Sequence, residues 1–130
     1  MWRIGIIGAG DYGRQHAQAI SELSDAKLVA ASRTNTTALN EFIETYGGAG
    51  YTNYQDLLND KSVDIVVIAT PHHLHTDIAV AAAQAGKHIL LEKPFAPTLS
   101  ECDLIIDAVQ KNKVKLMLGH VNHFVPAYQI

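Results

Sequence analysis

The chain has 130 residues, enough to bury one real core without disulfides, and its single cysteine, Cys102, has no partner within the chain. With 48% hydrophobic and 18% charged residues it is too apolar for a disordered segment, and a net charge of −3 gives no electrostatic reason to expect nucleic acid or an anionic membrane as partner. The apolar start, Trp2 to Ile7, is too short for a signal-peptide core and no run reaches the length of a membrane span, so a soluble cytoplasmic domain is expected.

Arg3 to Ile7 reads as a first strand that runs into Gly8-Ala9-Gly10-Asp11-Tyr12-Gly13. This is the glycine fingerprint of dinucleotide-binding folds, in the strand-to-helix setting it needs. Gly8 permits the tight turn, Gly10 lets backbone approach a pyrophosphate, and Gly13 lets the next helix pack on the sheet. That helix starts near Asp11 and aims free N–H groups and its dipole at the phosphates, so Asp11 and Tyr12 join the glycines as cofactor-binding candidates. His16, Ala19, Ile20 and Leu23 form its expected buried stripe, with His16 read as a core histidine whose hydrogen bond is satisfied.

The second strand, Lys27 to Ala31, ends in Ser32-Arg33-Thr34-Asn35. An NAD site usually carries an acid here, about 20 residues beyond the glycines, to hold the ribose 2′-hydroxyl. None is present, and Asp25 lies at the wrong end of the strand. Ser32, Arg33 and Thr34 are donors instead. Arg33 can meet a 2′-phosphate while its guanidinium plane stacks on adenine, so NADP is favoured and NAD is the alternative.

Leu39, Phe42, Ile43 and Tyr46 share one face of a helix, a weakly marked strand lies near Tyr51, and Tyr54 to Leu58 reads as a short helix. Val63 to Ala69 is a β-branched run suited to a strand covered on both faces. Thr70-Pro71-His72-His73-Leu74-His75 follows, before a helix near Thr76 with Ile78, Ala81, Ala82 and Ala85 on one face. The three histidines have no local cysteine or acidic partner and match no common zinc spacing, so no metal site is expected. Thr70, Pro71, His72 and His75 are candidates for the cofactor edge, with His73 and His75 also suited to loop packing or a helix start.

His88 to Leu91 is a strand that runs into Glu92-Lys93-Pro94. A lysine at a strand's carboxyl end lies where open α/β sheets place ligands. Lys93 can hydrogen-bond a substrate hydroxyl and stabilise the alkoxide that hydride transfer requires, with Glu92 orienting it or lining the cofactor side. The Lys93–Pro94 bond is a candidate for a cis peptide. Cys102, Ile105, Ile106 and Val109 mark a further helix capped at Ser100, and Lys115 to Val121 a sixth strand. Strands alternating with helices imply a doubly wound, mostly parallel six-stranded sheet in the order 3-2-1-4-5-6, a Rossmann fold occupying residues 1–130.

With these motifs in register, the chain resembles the glucose–fructose oxidoreductase / inositol dehydrogenase / rhizopine catabolism (Gfo/Idh/MocA) family. The likeness extends through Tyr51-Thr52-Asn53-Tyr54, Val63-Asp64-Ile65-Val66, Ala69-Thr70-Pro71, His75, Ala85-Gly86-Lys87-His88 and Glu92-Lys93-Pro94 to Gly119 and Phe124. The resemblance implies an NAD(P)-dependent oxidoreductase acting on the CH–OH groups of sugars, inositols or related polyols, with Lys93 in the catalytic site. It also implies a C-terminal α+β domain that supplies substrate contacts and the interface of a homo-oligomer, and no such domain is present in this chain. His72 stands where the family often has asparagine, and His123 where many members have arginine. In isolation the domain should bind dinucleotide and turn over little, because hydride transfer needs a positioned second reactant. The alternative is a stand-alone nucleotide-binding or regulatory module without dehydrogenase activity. An exposed apolar patch around Met117, Val121, Phe124 and Val125 would favour a missing domain or partner over that alternative. A different Rossmann protein, such as a methyltransferase or short-chain reductase, gives Glu92-Lys93-Pro94 no role.

Overall fold

Apolar runs and amphipathic stripes alternate along the chain, and each becomes one element of a computed structural model that describes residues 1–128. The strands are β1 (Trp2–Ile7), β2 (Ala26–Ser32), β3 (Ala49–Tyr51), β4 (Ile65–Ile68), β5 (His88–Leu91) and β6 (Leu116–Leu118). The helices between them are α1 (Asp11–Ser21), α2 (Thr36–Tyr46), α3 (Tyr54–Asn59), α4 (His75–Gln84) and α5 (Leu99–Lys111), with short 3-10 turns at His72–Leu74, Val121–Phe124 and Pro126–Tyr128. All pairings are parallel and the sheet order is β3-β2-β1-β4-β5-β6, the expected doubly wound topology.

Right-handed crossovers in both directions from β1 put helices on both faces, and alternation along each strand supplies both with side chains. On one face Ile4, Ile6 and Val67 pack with Ala17, Ile20, Leu39 and Phe42 of α1 and α2. On the other, Ile7, Val66, Ile68, Ile89 and Leu91 pack with Leu57, Ile78, Ala82 and Ile105 of α3, α4 and α5. No helix among the described residues is long and apolar enough to cross a membrane.

Three local expectations change. The buried face of α1 is Gly13, Ala17 and Ile20, while Leu23 is 52% exposed and Ala19 lies outside the core. A Cβ on Gly13 would stand 2.5 Å from the Gly8 carbonyl oxygen, so this glycine must face the loop, and that sets the helix rotation. The sixth strand stops at Leu118 because β5 is its only partner, and Val121 already opens a 3-10 turn. The cap of α5 is Thr98, whose side chain accepts from the Glu101 N–H while its hydroxyl donates to the Glu101 carboxylate. Thr98-Leu99-Ser100-Glu101 is a capping box, a signal the sequence carried two residues before Ser100.

Candidate functional site

The carboxyl ends of β1, β2 and β4 meet around the glycine turn. Gly8 has φ +95° and hangs between neighbours: its N–H and that of Ala9 donate to the Ser32 carbonyl at 3.0 and 3.1 Å, and Ala69 N–H donates to the Ile7 carbonyl at 2.8 Å. Gly10 precedes α1 with no capping side chain, whereas Asn35, Asn53 and Thr98 cap α2, α3 and α5. The first-turn N–H groups of α1 have no acceptor within the helix and are suited to an anion.

A cleft of about 730 Å³ opens over this turn. It gathers Gly8, Gly10, Ser32, Arg33, Thr34, Thr70 and Pro71 of the expected set. A Cβ on Gly10 would meet nothing within 4 Å and would project into open space, the position where a ligand's phosphates need the room. Ser32 is buried, and Arg33 Nη1 donates to the Ala9 carbonyl at 3.1 Å, tying the end of β2 to the glycine turn. The Thr70 hydroxyl, which borders the cleft, is a buried polar atom without a hydrogen-bond partner among the described residues. Donors at the end of β2, uncapped helix N–H groups and a glycine-lined gap together fit a phosphorylated dinucleotide.

Thr52, Asn53, Tyr54, Leu74, Asp77 and Ile78 also line the cleft and were not anticipated as site residues. The sheet order is the signal that locates the first three. β3 lies beside β2, and Arg33 N–H donates to the Tyr51 carbonyl at 3.1 Å, so the turn after β3 must border the end of β2.

The remaining expected residues stand around the cleft rather than in its lining. Asp11 and Tyr12 are exposed at the start of α1, His72 is exposed beside Pro71, and Gly13 is buried against the loop. His75 departs from direct cofactor contact, because it is 1% exposed and both ring nitrogens face backbone carbonyls, Pro94 at 2.9 Å and Thr70 at 3.0 Å. The ring is thereby held between the Pro94 and Thr70 carbonyls. This ring braces the end of β4 against the residues after β5, which brings Lys93 to the edge of the sheet that carries Thr70.

The Lys93–Pro94 bond is cis, as expected. Lys93 is exposed, and its ammonium has no hydrogen-bond or ion-pair partner among the described residues. Glu92 points to the α1 face, where its Oε1 accepts from His16 Nε2–H at 2.6 Å. His16 therefore has the satisfied hydrogen bond expected of it, but it is half-buried at the side of α1 rather than in the core.

Apart from Tyr51 at the end of β3, the ionisable groups with perturbed pKa values lie away from the cleft. Near the amino ends of β1, β4 and β5, the Arg3 side chain grips Asp64 at 2.8 and 3.0 Å and holds its carboxyl at about 2. Burial pulls the Lys87 ammonium below its ordinary range, and its Nζ donates to the Asp60 and Val63 carbonyls at 2.8 and 2.7 Å. Hydrogen bonds from Ser62 lower Asp60, which in turn raises Tyr51 by accepting its hydroxyl. Arg3, Asp64 and Lys87 fasten the fold at the amino ends of the strands, and the Tyr51 hydroxyl ties the end of β3 to Asp60.

A family model described as an oxidoreductase family with an NAD-binding Rossmann fold, Gfo/Idh/MocA, matches residues 2–120. Glucose-6-phosphate 3-dehydrogenase from Bacillus subtilis (strain 168) is 36% identical over 119 residues, covering 92% of this chain and 33% of that protein. The WlbA dehydrogenase from Bordetella pertussis, solved with NADH and UDP-GlcNAcA, is 31% identical with a TM-score of 0.93, over 98% of this chain and 39% of that one. Biliverdin reductase from Synechocystis sp. PCC 6803, solved with biliverdin and NADP+, is 31% identical with a TM-score of 0.88, over 94% of this chain and 39% of that one. The chain spans about a third of the length of the curated relatives it matches.

Proposed function

Because the chain belongs to the Gfo/Idh/MocA oxidoreductase family, we propose that it is the cofactor-binding unit of an NADP-preferring dehydrogenase acting on a sugar, inositol or related polyol. The observation that carries the cofactor assignment is the single cleft joining the glycine turn to Ser32, Arg33 and Thr34. The nicotinamide ring, when bound, supplies the hydride acceptor or donor. Gly8, Gly10 and the first turn of α1 hold the pyrophosphate. Arg33, Ser32 and Thr34 take the 2′-phosphate, because no carboxylate stands at the end of β2 to compete for the ribose. Thr70, Pro71 and His72 border the nicotinamide side.

Lys93 is the catalytic residue of this reading. Its exposed ammonium donates to the substrate oxygen and stabilises the negative charge that develops there as hydride moves. The substrate class rests on sugar and inositol dehydrogenases among the relatives, although one structural neighbour binds biliverdin. Met117, Val121, Phe124 and Val125 are 52%, 65%, 61% and 39% exposed. That apolar surface supports work against a further domain or partner rather than as an autonomous module.

Parallel calorimetric titrations with NADPH and NADH test the reading. Binding with NADPH preferred is expected. A preference for NADH would overturn the cofactor choice alone, and binding of neither would defeat the cofactor-unit assignment.

A further inference from the structure

We infer that His16 is a positioning residue for the nicotinamide end of the site, acting through Glu92. The inference rests on the dinucleotide-binding role proposed above and adds to it a residue on the opposite side of the glycine loop's helix.

Strand alternation sends Glu92 to the same face of the sheet as Leu90, toward α1, and there its Oε1 meets His16 Nε2 at 2.6 Å. The two side chains are 21% and 12% exposed, so water competes weakly for either. A carboxylate is acceptor-only, which makes Nε2–H the donor and fixes the ring's orientation. His16 is the only described side chain that hydrogen-bonds or ion-pairs with Glu92. Gly119 leaves the space on its other side: a Cβ there would stand 3.4 Å from the Glu92 carboxylate.

The pair joins two elements that frame the cofactor. α1 begins at the glycine turn, and Glu92 directly precedes Lys93, whose ammonium has no partner among the described residues. Occupying Glu92 does two things. It fixes the backbone from which Lys93 projects, and it keeps the neighbouring carboxylate from turning to the ammonium. Without His16, the half-buried carboxylate next to Lys93 is left with that ammonium as its nearest cation in sequence, and Lys93 is taken away from the nicotinamide side.

A binding experiment separates this from simple packing. The 130-residue chain and the variants H16M, H16Q, E92Q and H16M/E92Q are titrated with NADPH and with 2′-phospho-ADP-ribose, which lacks the nicotinamide. NADH and ADP-ribose are run beside them, and each variant's thermal midpoint is recorded. Methionine fills the volume without a donor, and glutamine restores an N–H at the place of Nε2. H16M is expected to weaken NADPH about tenfold, the value of one charge-assisted hydrogen bond, and to leave 2′-phospho-ADP-ribose within about twofold. H16Q should recover most of the loss. Adding H16M to E92Q should cost nothing beyond E92Q alone, because His16 acts only through that carboxylate.

Equal weakening of both ligands by H16M would overturn the inference, because His16 would then serve α1 and the phosphate loop. No effect on either ligand would overturn it too, as would additive losses in the double variant. If the unmodified chain binds neither dinucleotide, the failure belongs to the cofactor-binding reading, and this inference falls with it.

Discussion

The sharpest test of the glycine turn sets Gly8→Ala against Gly10→Ala, the same added methyl two residues apart. At Gly8 the new Cβ would stand 2.8 Å from the Ala69 carbonyl carbon and oxygen and 2.9 Å from the Thr70 nitrogen, roughly 0.6 Å short of an ordinary 3.4 Å contact. Those atoms are backbone, and β1 and β4 are locked there by register and by the Ala69 N–H bond to Ile7. The φ of +95° adds about 1–2 kcal/mol for any residue with a Cβ. Forcing the strand ends apart adds a similar amount, so Gly8→Ala should destabilise the fold by about 2–4 kcal/mol and lower the thermal midpoint by about 10 °C. At Gly10 the backbone is extended, with φ −91° and ψ −152°, and the Cβ meets nothing. Gly10→Ala should leave stability within about 1 kcal/mol, and a small gain is reasonable because the unfolded chain loses freedom. Its cost should appear in dinucleotide binding, by about tenfold or more, because the methyl occupies the space of the pyrophosphate. Urea unfolding and calorimetry on the two variants give both quantities. The reasoning fails if Gly10→Ala unfolds as easily as Gly8→Ala, or if it binds dinucleotide as the unmodified chain does.

Other expected outcomes follow from particular groups. Arg33→Ala should reduce a preference for NADPH over NADH by about tenfold while sparing the thermal midpoint, as read by titration with both cofactors; an unchanged ratio would remove Arg33 from the 2′-phosphate. Asp64→Asn removes the charge and one of the two acceptor oxygens of the Arg3 fork, which is partly exposed, so after allowance for solvent screening the loss at neutral pH should be about 1 kcal/mol. Because the folded pKa of Asp64 lies below its unfolded value, that contribution is present above about pH 4 and disappears as pH falls through about 2. Denaturant curves for the two proteins should therefore converge in acid, and a gap that persists at pH 2 would point to another cause. Lys87→Met takes the ammonium donor from the Val63 carbonyl and leaves the Asp60 carbonyl only its bond from the Val63 N–H, and should destabilise the domain by about 1–3 kcal/mol in urea. A neutral result would mean that the buried ammonium roughly cancels its own desolvation.

The topology, the glycine turn and the chemistry of the end of β2 were legible in the amino-acid residues before any contact was known. Each of these is written in neighbouring residues: an apolar run marks a strand, a glycine marks a backbone path that no side chain permits, and Ser32-Arg33-Thr34 shows its donors directly. The bend at Lys93–Pro94 was legible for the same reason. Which faces meet is set by packing across the whole fold. Residues 16, 19, 20 and 23 have as good a helical spacing as 13, 17 and 20, and only the contact of Gly13 with the Gly8 carbonyl chooses between them. The inclusion of Thr52, Asn53 and Tyr54 in the cleft depends on β3 lying next to β2, a pairing between strands rather than a property of either. His75 looked like a residue of the cofactor edge, but the packing of α4 turned it to two carbonyls separated by the whole of β5. His16 and Glu92 are 76 residues apart, and neither carries a mark of the other. Periodicity reports what a segment prefers within a few residues, whereas a contact over that distance exists only after strand register and helix rotation have been set by the rest of the core.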